Sequence, residues 1–155
     1  MGKFYRKRIV YRVKRDKYSI EQCAGQINVP AGQQAYVQVV PDSSIGGMRK
    51  VKHLTVNFAS PDIIGTDTTG FWALVYCPQG TTPSQLSLTG SSMYEPNQYV
   101  MNCGTFDCNA GPVRFHSPIS RNLNSGDKIY LIVANPNTTQ QGVFLYTVRY
   151  AITLN

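Results

Sequence analysis

The stretch FLYTVRYAITL, residues 144–154, alternates large apolar side chains with smaller or polar ones over its whole length. Because successive side chains of a strand point to opposite faces, one face of this stretch carries only large apolar groups. These groups are Phe144, Tyr146, Val148, Tyr150, Ile152 and Leu154. The period of two predicts a long strand that lies with one face on a core.

Two other stretches are apolar without alternation: FWALVYC, residues 71–77, and KIYLIVA, residues 128–134. A short apolar run of this kind, bounded by turn residues, is typical of a strand that is buried on both faces. Two packed sheets can contain both kinds of strand, because a central strand can be covered on each side while an alternating strand faces the core with one side only.

Five further strands have weaker patterns and are bounded by clusters of Gly, Pro, Asn, Asp and Ser. They are predicted at residues 18–28, 34–40, 50–59, 98–106 and 112–119. Residues 122–127 are predicted to form a turn, with Gly126 able to adopt a positive φ. Eight strands with no convincing helix predict an all-β fold, an eight-stranded antiparallel jelly-roll sandwich over residues 18–155.

Residues 1–17 form a basic N-terminal arm that differs sharply in charge from the rest of the chain. The arm has eight bases and a single acid, Asp16, so its net charge is +7, whereas residues 18–155 have seven bases and seven acids. The arm bases are Lys3, Arg6, Lys7, Arg8, Arg12, Lys14, Arg15 and Lys17. Clustered cations release counterions when they meet phosphates, so the arm is predicted to bind nucleic acid. A nuclear-localisation run or a solvated tail is the alternative.

Apolar side chains are interspersed in the arm. Phe4, Tyr5 and Tyr11 are candidates to stack on unpaired bases, and packing against a neighbouring protomer is the equally weighted alternative. A second small cluster of bases, Arg49, Lys50 and Lys52, lies at the start of the third predicted strand. It either lines the same nucleic-acid surface or is an exposed strand end that keeps the protein soluble.

The cysteines have no zinc-finger or CxxC spacing, which argues against a metal site. They are Cys23, Cys77, Cys103 and Cys108. We expect free thiols, with Cys77 and Cys103 as small apolar core residues.

Catalytic signatures are missing from the sequence. His53 and His116 have no nucleophile motif beside them, and we expect both to be outward-facing strand residues. No apolar stretch approaches the roughly 20 residues of a membrane span. The sequence thus predicts a non-enzymatic protein with no cofactor, no metal and no membrane insertion.

Three runs resemble capsid proteins of circular, Rep-encoding single-stranded DNA viruses (CRESS-DNA viruses), including circovirus-like ones. They are residues 71–80, 91–100 and 116–130, and the most specific parts are SSMYEPN, residues 91–97, and RNLNSGD, residues 121–127. The resemblance spans about residues 50–135. It implies a jelly-roll protomer, a T=1 icosahedral shell of sixty copies and an arm that faces viral single-stranded DNA. It also implies a virion protein that assembles in the host nucleus or cytoplasm, with a host attachment factor that the sequence does not identify. The arm departs from the family, which often has a longer and denser arginine run.

The longest segment without a strong period is the polar stretch 78–97, which is predicted to be a surface loop. A closed shell needs many contacts per protomer, and long loops tend to supply them. Met93, Tyr94, Glu95 and Pro96 are therefore predicted to lie at a subunit interface. Two alternatives stay open: a capsid protein of a small RNA or satellite virus, and a jelly-roll ligand-binding module, which leaves the basic arm unexplained.

Overall fold

The computed structural model describes residues 18–59, 69–83, 99–135 and 137–154. The basic arm, residues 1–17, lies outside this part of the chain, and so does the predicted interface at Met93, Tyr94, Glu95 and Pro96. The predictions on those residues therefore stay predictions.

The described residues form β-strands joined by turns and loops, and no helix occurs in these ranges. The strands are β1 (Ser19–Val29), β2 (Gln34–Val40), β3 (Arg49–Ala59), β4 (Thr69–Cys77), β5 (Val100–Asp107), β6 (Val113–Ser117), β7 (Arg121–Leu123), β8 (Lys128–Ala134) and β9 (Gly142–Leu154). Both β6 and β7 pair with β3, at Leu54–Phe58 and Arg49–Val51 respectively. They are one strand position interrupted between its two halves, so the described residues form eight strand positions, the number predicted.

The strands form two antiparallel sheets. The five-stranded sheet has the order β1-β9-β3-β6, with β7 also on β3, and the four-stranded sheet has the order β2-β8-β4-β5. Strands from the two ends of the chain pair with each other, and the strands between them pair in the same nested order. The pairs are β1 with β9, β2 with β8, β3 with β6 and β7, and β4 with β5. A long hairpin rolled up in this way is a jelly roll, so the predicted fold class is confirmed.

The core between the sheets is built from alternating strands and from a cluster of aromatic rings. Along β9, Phe144 and Val148 are completely buried, while Leu145 between them is 55% exposed. The rings of Phe58 and Phe106 stack with their centroids 5.4 Å apart. The alternation predicted for the last strand is therefore confirmed, and its apolar face supplies one wall of the core.

The prediction that 71–77 and 128–134 are buried on both faces is also confirmed. On β4, Trp72 and Leu74 belong to the main core, whereas Ala73 and Val75 belong to a second apolar cluster. On β8, Ile132 joins that second cluster. Both strands are central in the four-stranded sheet, which accounts for the lack of alternation in their sequences.

One end of the sandwich is held together by the buried carboxylate of Asp127. It accepts hydrogen bonds from the Tyr76 hydroxyl (2.8 Å), the Asn124 amide (2.8 Å) and the Gln79 amide (3.1 Å). The Arg49 side chain donates to the Pro41 carbonyl (2.9 Å) in the same corner. The run 121–127 thus has a structural role, because the carboxylate of its last residue ties its own turn to the end of β4.

Two local predictions are wrong. Arg121–Leu123 form β7, so only the later part of 122–127 is a turn, with Gly126 at φ 82° as expected. Cys103 is exposed instead of lying in the core. The register of β5 on β4 shifts between Leu74 and Val75, so Met101 is buried while Cys103 lies opposite Ala73 on the outer side. Counting by twos across such a bulge assigns the wrong face. No disulfide joins any of the four cysteines, all of which lie in the described residues.

Candidate nucleic-acid interface

Charges in the described residues are distributed very unevenly between the two sheets. The described bases are Arg49, Lys50, Lys52, Arg114, Arg121, Lys128 and Arg149, and the described acids are Glu21, Asp42, Asp107 and Asp127. Four of these seven bases occupy outward positions of the five-stranded sheet, as its register shows. We call this surface, formed by Lys50, Lys52, Arg114 and Arg149 with the residues between them, the cationic face.

The strand register places these bases side by side. In the central row, Thr55 of β3 lies opposite Arg149 of β9 on one side and opposite His116 of β6 on the other. In the next row, Asn57 lies opposite Arg114. The arginines, both exposed, are therefore close neighbours although they are far apart in the sequence. Lys50 and Lys52 continue the surface along β3.

None of the four described acids lies on the cationic face. Glu21 lies opposite Tyr150 on the core-side phase of β1 and accepts a hydrogen bond from its hydroxyl (2.8 Å). Asp42 forms an ion pair with Lys128 (3.9 Å) on the other sheet. Asp107 accepts a hydrogen bond from the Asn109 amide in its own turn (2.9 Å), and Asp127 lies in the buried corner. The described part of this face is thus a surface of uncompensated positive charge, which attracts polyanions.

A shallow cleft of about 270 Å³ lies at the centre of the face, lined by His53, Thr55, Arg114, His116 and Arg149 among others. The two imidazole rings are nearly parallel, with an interplanar angle of 16° and centroids 6.1 Å apart. The Nδ1 atom of His116 lies 3.1 Å from the Thr55 hydroxyl, a hydrogen bond that fixes the orientation of the ring. The cleft therefore combines flat aromatic surface with guanidinium donors suited to phosphate oxygens.

A second cleft, of about 450 Å³, lies beside the cationic face at the Lys50 end of β3, where it is lined by Lys50, Tyr76, Arg121 and neighbouring polar residues. The Arg121 guanidinium lies over the Tyr76 ring at 4.1 Å, a cation–π contact. Burial, followed by the hydrogen bond to Asp127, raises the pKa of Tyr76, so this hydroxyl remains a neutral donor.

The arm enters the fold beside the same face. Tyr18 is the residue directly after the arm, and the Lys52 ammonium lies 4.4 Å from the centroid of its ring. The chain continues into β1, an edge strand of the five-stranded sheet. The eight bases of the arm are thus attached next to the four bases of the cationic face.

Sequence reasoning found part of this surface. Lys50 and Lys52 do lie on it, and the prediction that His53 and His116 face outward is confirmed. Arg49 is instead 8% exposed and donates to backbone carbonyls, because its position on β3 points into the sandwich corner. Two arginines of the surface were not recognised, Arg114 and Arg149. The alternation of side chains in the sequence indicates that both arginines point away from the core. Their proximity, however, depends on pairing between strands that are distant in the sequence.

Within the described residues, no three His, Cys, Asp or Glu side chains come together in a way that could hold a metal ion. The same ranges contain no helix that is long and apolar enough to cross a membrane.

Comparison with known proteins assigns the chain to no family. No protein-family model and no curated protein matches the sequence. Among solved structures, the chain is similar to a protein of Bacillus endospore appendages, described as disulfide-linked pili, at 14% identity and a TM-score of 0.37 over 90% of this chain and 92% of that one. It is also similar to a chain of Desmodium yellow mottle tymovirus, at 10% identity and a TM-score of 0.38 over 100% of this chain and 95% of that one. With such TM-scores, the jelly-roll assignment depends on the strand topology alone.

Proposed function

We propose that this chain is a viral capsid protein that self-associates into a closed shell and packages single-stranded nucleic acid. The observation that carries the proposal is the cationic face. A jelly roll presents one whole sheet surface with four bases and, among the described residues, no acid, directly beside the attachment point of an arm with a net charge of +7.

The chemistry that packaging requires is modest. Phosphate contacts from lysine and arginine give affinity without reading sequence, and they gain free energy from counterion release. The arm supplies mobile point charges and guanidinium groups at Lys3, Arg6, Lys7, Arg8, Arg12, Lys14, Arg15 and Lys17. The cationic face supplies four more at the positions that the sheet register fixes, so the nucleic acid is held both by the arm and by the folded body.

We propose more specifically that the chain is a capsid protein of a CRESS-DNA virus and forms a T=1 shell of sixty copies around single-stranded DNA. It is supported by the sequence runs at residues 71–80, 91–100 and 116–130 and by the jelly-roll topology. The physical arguments on charge apply equally to RNA, so the packaged nucleic acid has to be identified by experiment.

Expression of the full chain followed by electron microscopy tests the proposal. We expect uniform icosahedral particles that contain nuclease-protected nucleic acid, and digestion of the extracted material with DNase or RNase identifies it. A variant with all eight arm bases changed to glutamine is expected to retain much less nucleic acid. A monomeric protein that binds no nucleic acid at low salt would overturn the proposal.

The predicted subunit interface at Met93–Pro96 has its own test. If Tyr94 is a buried interface aromatic, Tyr94→Ala removes about 2 kcal/mol or more per contact, and symmetry repeats the loss in every protomer. We expect a folded protomer, with wild-type circular dichroism, that sediments as small species. Wild-type particles with wild-type salt resistance would exclude Tyr94 from the interface.

A further inference from the structure

One residue of the cationic face is held in a strained conformation. Among the described non-glycine residues, only His53 has a positive φ, at 55°. It lies where the register of β3 on β9 shifts between Lys52 and Thr55, so the strand contains a bulge there. A left-handed residue with a Cβ costs free energy, and such strain often occurs at functional sites.

The bulge determines where the His53 ring lies. The ring is nearly parallel to that of His116, with the two centroids 6.1 Å apart, and both residues are exposed on the outside of the sheet. The side chain is exposed, so it does not contribute to the core. The strained backbone therefore has no packing role that would account for a histidine at this position.

The surroundings of the two rings have the chemistry of a nucleotide site. Arg114 and Arg149 line the same cleft and offer forked donors to phosphate oxygens. Thr55 is buried and holds His116 in place through its hydroxyl. Aromatic side chains on an open sheet surface, histidine included, are a recurring means of stacking unpaired bases.

We propose that His53 and His116 form a stacking platform for an unpaired base of single-stranded nucleic acid, with the adjacent phosphates held by Arg114 and Arg149. The inference rests on the proposed function only in taking nucleic acid as the partner. It adds a preference for single strands, because a base in a duplex does not expose its face to a side chain.

The test compares two probes that have the same phosphates: an oligothymidine and an abasic oligonucleotide of equal length. Both are titrated with the full-length protein at fixed salt and pH 8, and the ratio of the two affinities reports contacts to bases. The wild type is expected to prefer oligothymidine. In His53→Gly this preference should fall by about fivefold or more, the lower end of what one base–aromatic stack contributes.

Glycine is an informative substitution here because it accommodates the positive φ without a Cβ. His53→Gly should therefore melt at or above the wild-type temperature, which a loss of structural contacts would not produce. His53→Asn, which also tolerates a positive φ, provides the same comparison with a polar side chain.

The possible outcomes separate the two proposals. An unchanged oligothymidine preference in both His53→Gly and His53→Asn overturns the stacking platform, and so does an equal loss of affinity for both probes. Failure of the wild-type protein to bind even the abasic probe at low salt contradicts the proposed nucleic-acid function instead.

Discussion

The double substitution Arg114→Gln/Arg149→Gln tests whether the folded body contributes to nucleic-acid binding. Both side chains are exposed on the cationic face, and no described hydrogen bond or ion pair depends on them. We therefore expect the protein to fold normally and to lose two phosphate contacts.

The size of the effect follows from counterion release. For single strands, the slope of log K against log salt is about −0.7 for each phosphate that is neutralised. If all eight arm bases and all four bases of the face make contact, the wild-type slope is at most about −8, and the double variant is less steep by about 1.4. At 0.1 M salt, the same two contacts correspond to a loss of affinity on the order of 25-fold, with the value at 1 M unchanged.

The assay is a fluorescence titration with a single-stranded oligonucleotide at several salt concentrations, under conditions where sedimentation shows unassembled protomers. Lys52→Gln and Lys128→Gln are a matched pair, because each removes one half-buried lysine, the first on the cationic face and the second on the other sheet. Only Lys52→Gln should change the slope, by about 0.7. If the double variant keeps the wild-type slope, or if both lysine variants change it equally, the cationic face does not contact nucleic acid.

Three further predictions concern the fold. Val148→Asp should prevent folding, because an unpaired carboxylate in a completely buried site costs several kcal/mol. Thr147→Asp, on the half-buried opposite face, should be milder. Thermal melting and the yield of soluble protein compare the two variants. Asp127→Ala should destabilise the protein by about 3 kcal/mol or more, since three donors in the sandwich corner lose their acceptor, and equal denaturation midpoints would contradict this. Exposed Cys103 should react with a thiol reagent in the native protein, whereas buried Cys77 should react only after unfolding or at higher pH. Burial raises the pKa of the Cys77 thiol, and the thiolate is the reactive form. Mass spectrometry of the labelled peptides distinguishes the two cysteines.

The local structure was largely predictable from the sequence. The apolar period of β9, the doubly apolar runs of β4 and β8, and the Gly and Pro clusters between strands are all short-range signals. The errors occurred where a short-range rule is broken. A bulge in β5 reverses the phase before Cys103, and β7 is only three residues long within a segment that has turn composition.

The candidate site was much less predictable. Arg114 and Arg149 are neighbours only because β6 and β9 are on either side of β3, and nothing in the spacing of the sequence encodes that arrangement. The same holds for His53 and His116, whose parallel rings depend on a bulge in one strand and on pairing with another. A motif search cannot find a site whose members are brought together by sheet register alone.

The position of the arm indicates how a protomer would be oriented in the proposed shell. The arm joins the chain at Tyr18, beside Lys52, at an edge of the five-stranded sheet. Arm and cationic face can therefore meet the same polyanion without the chain having to cross the sandwich. If the four-stranded sheet faced the nucleic acid instead, the arm would have to pass around a core about 10 Å thick. The fixed charges of the face would then remain uncompensated on the outside of the particle. Electrostatics thus favours a shell in which the five-stranded sheet faces inward and the four-stranded sheet faces outward. The described charges of the four-stranded sheet are Lys128, which pairs with Asp42 in the loop after β2, and the acid Asp107 at the end of β5.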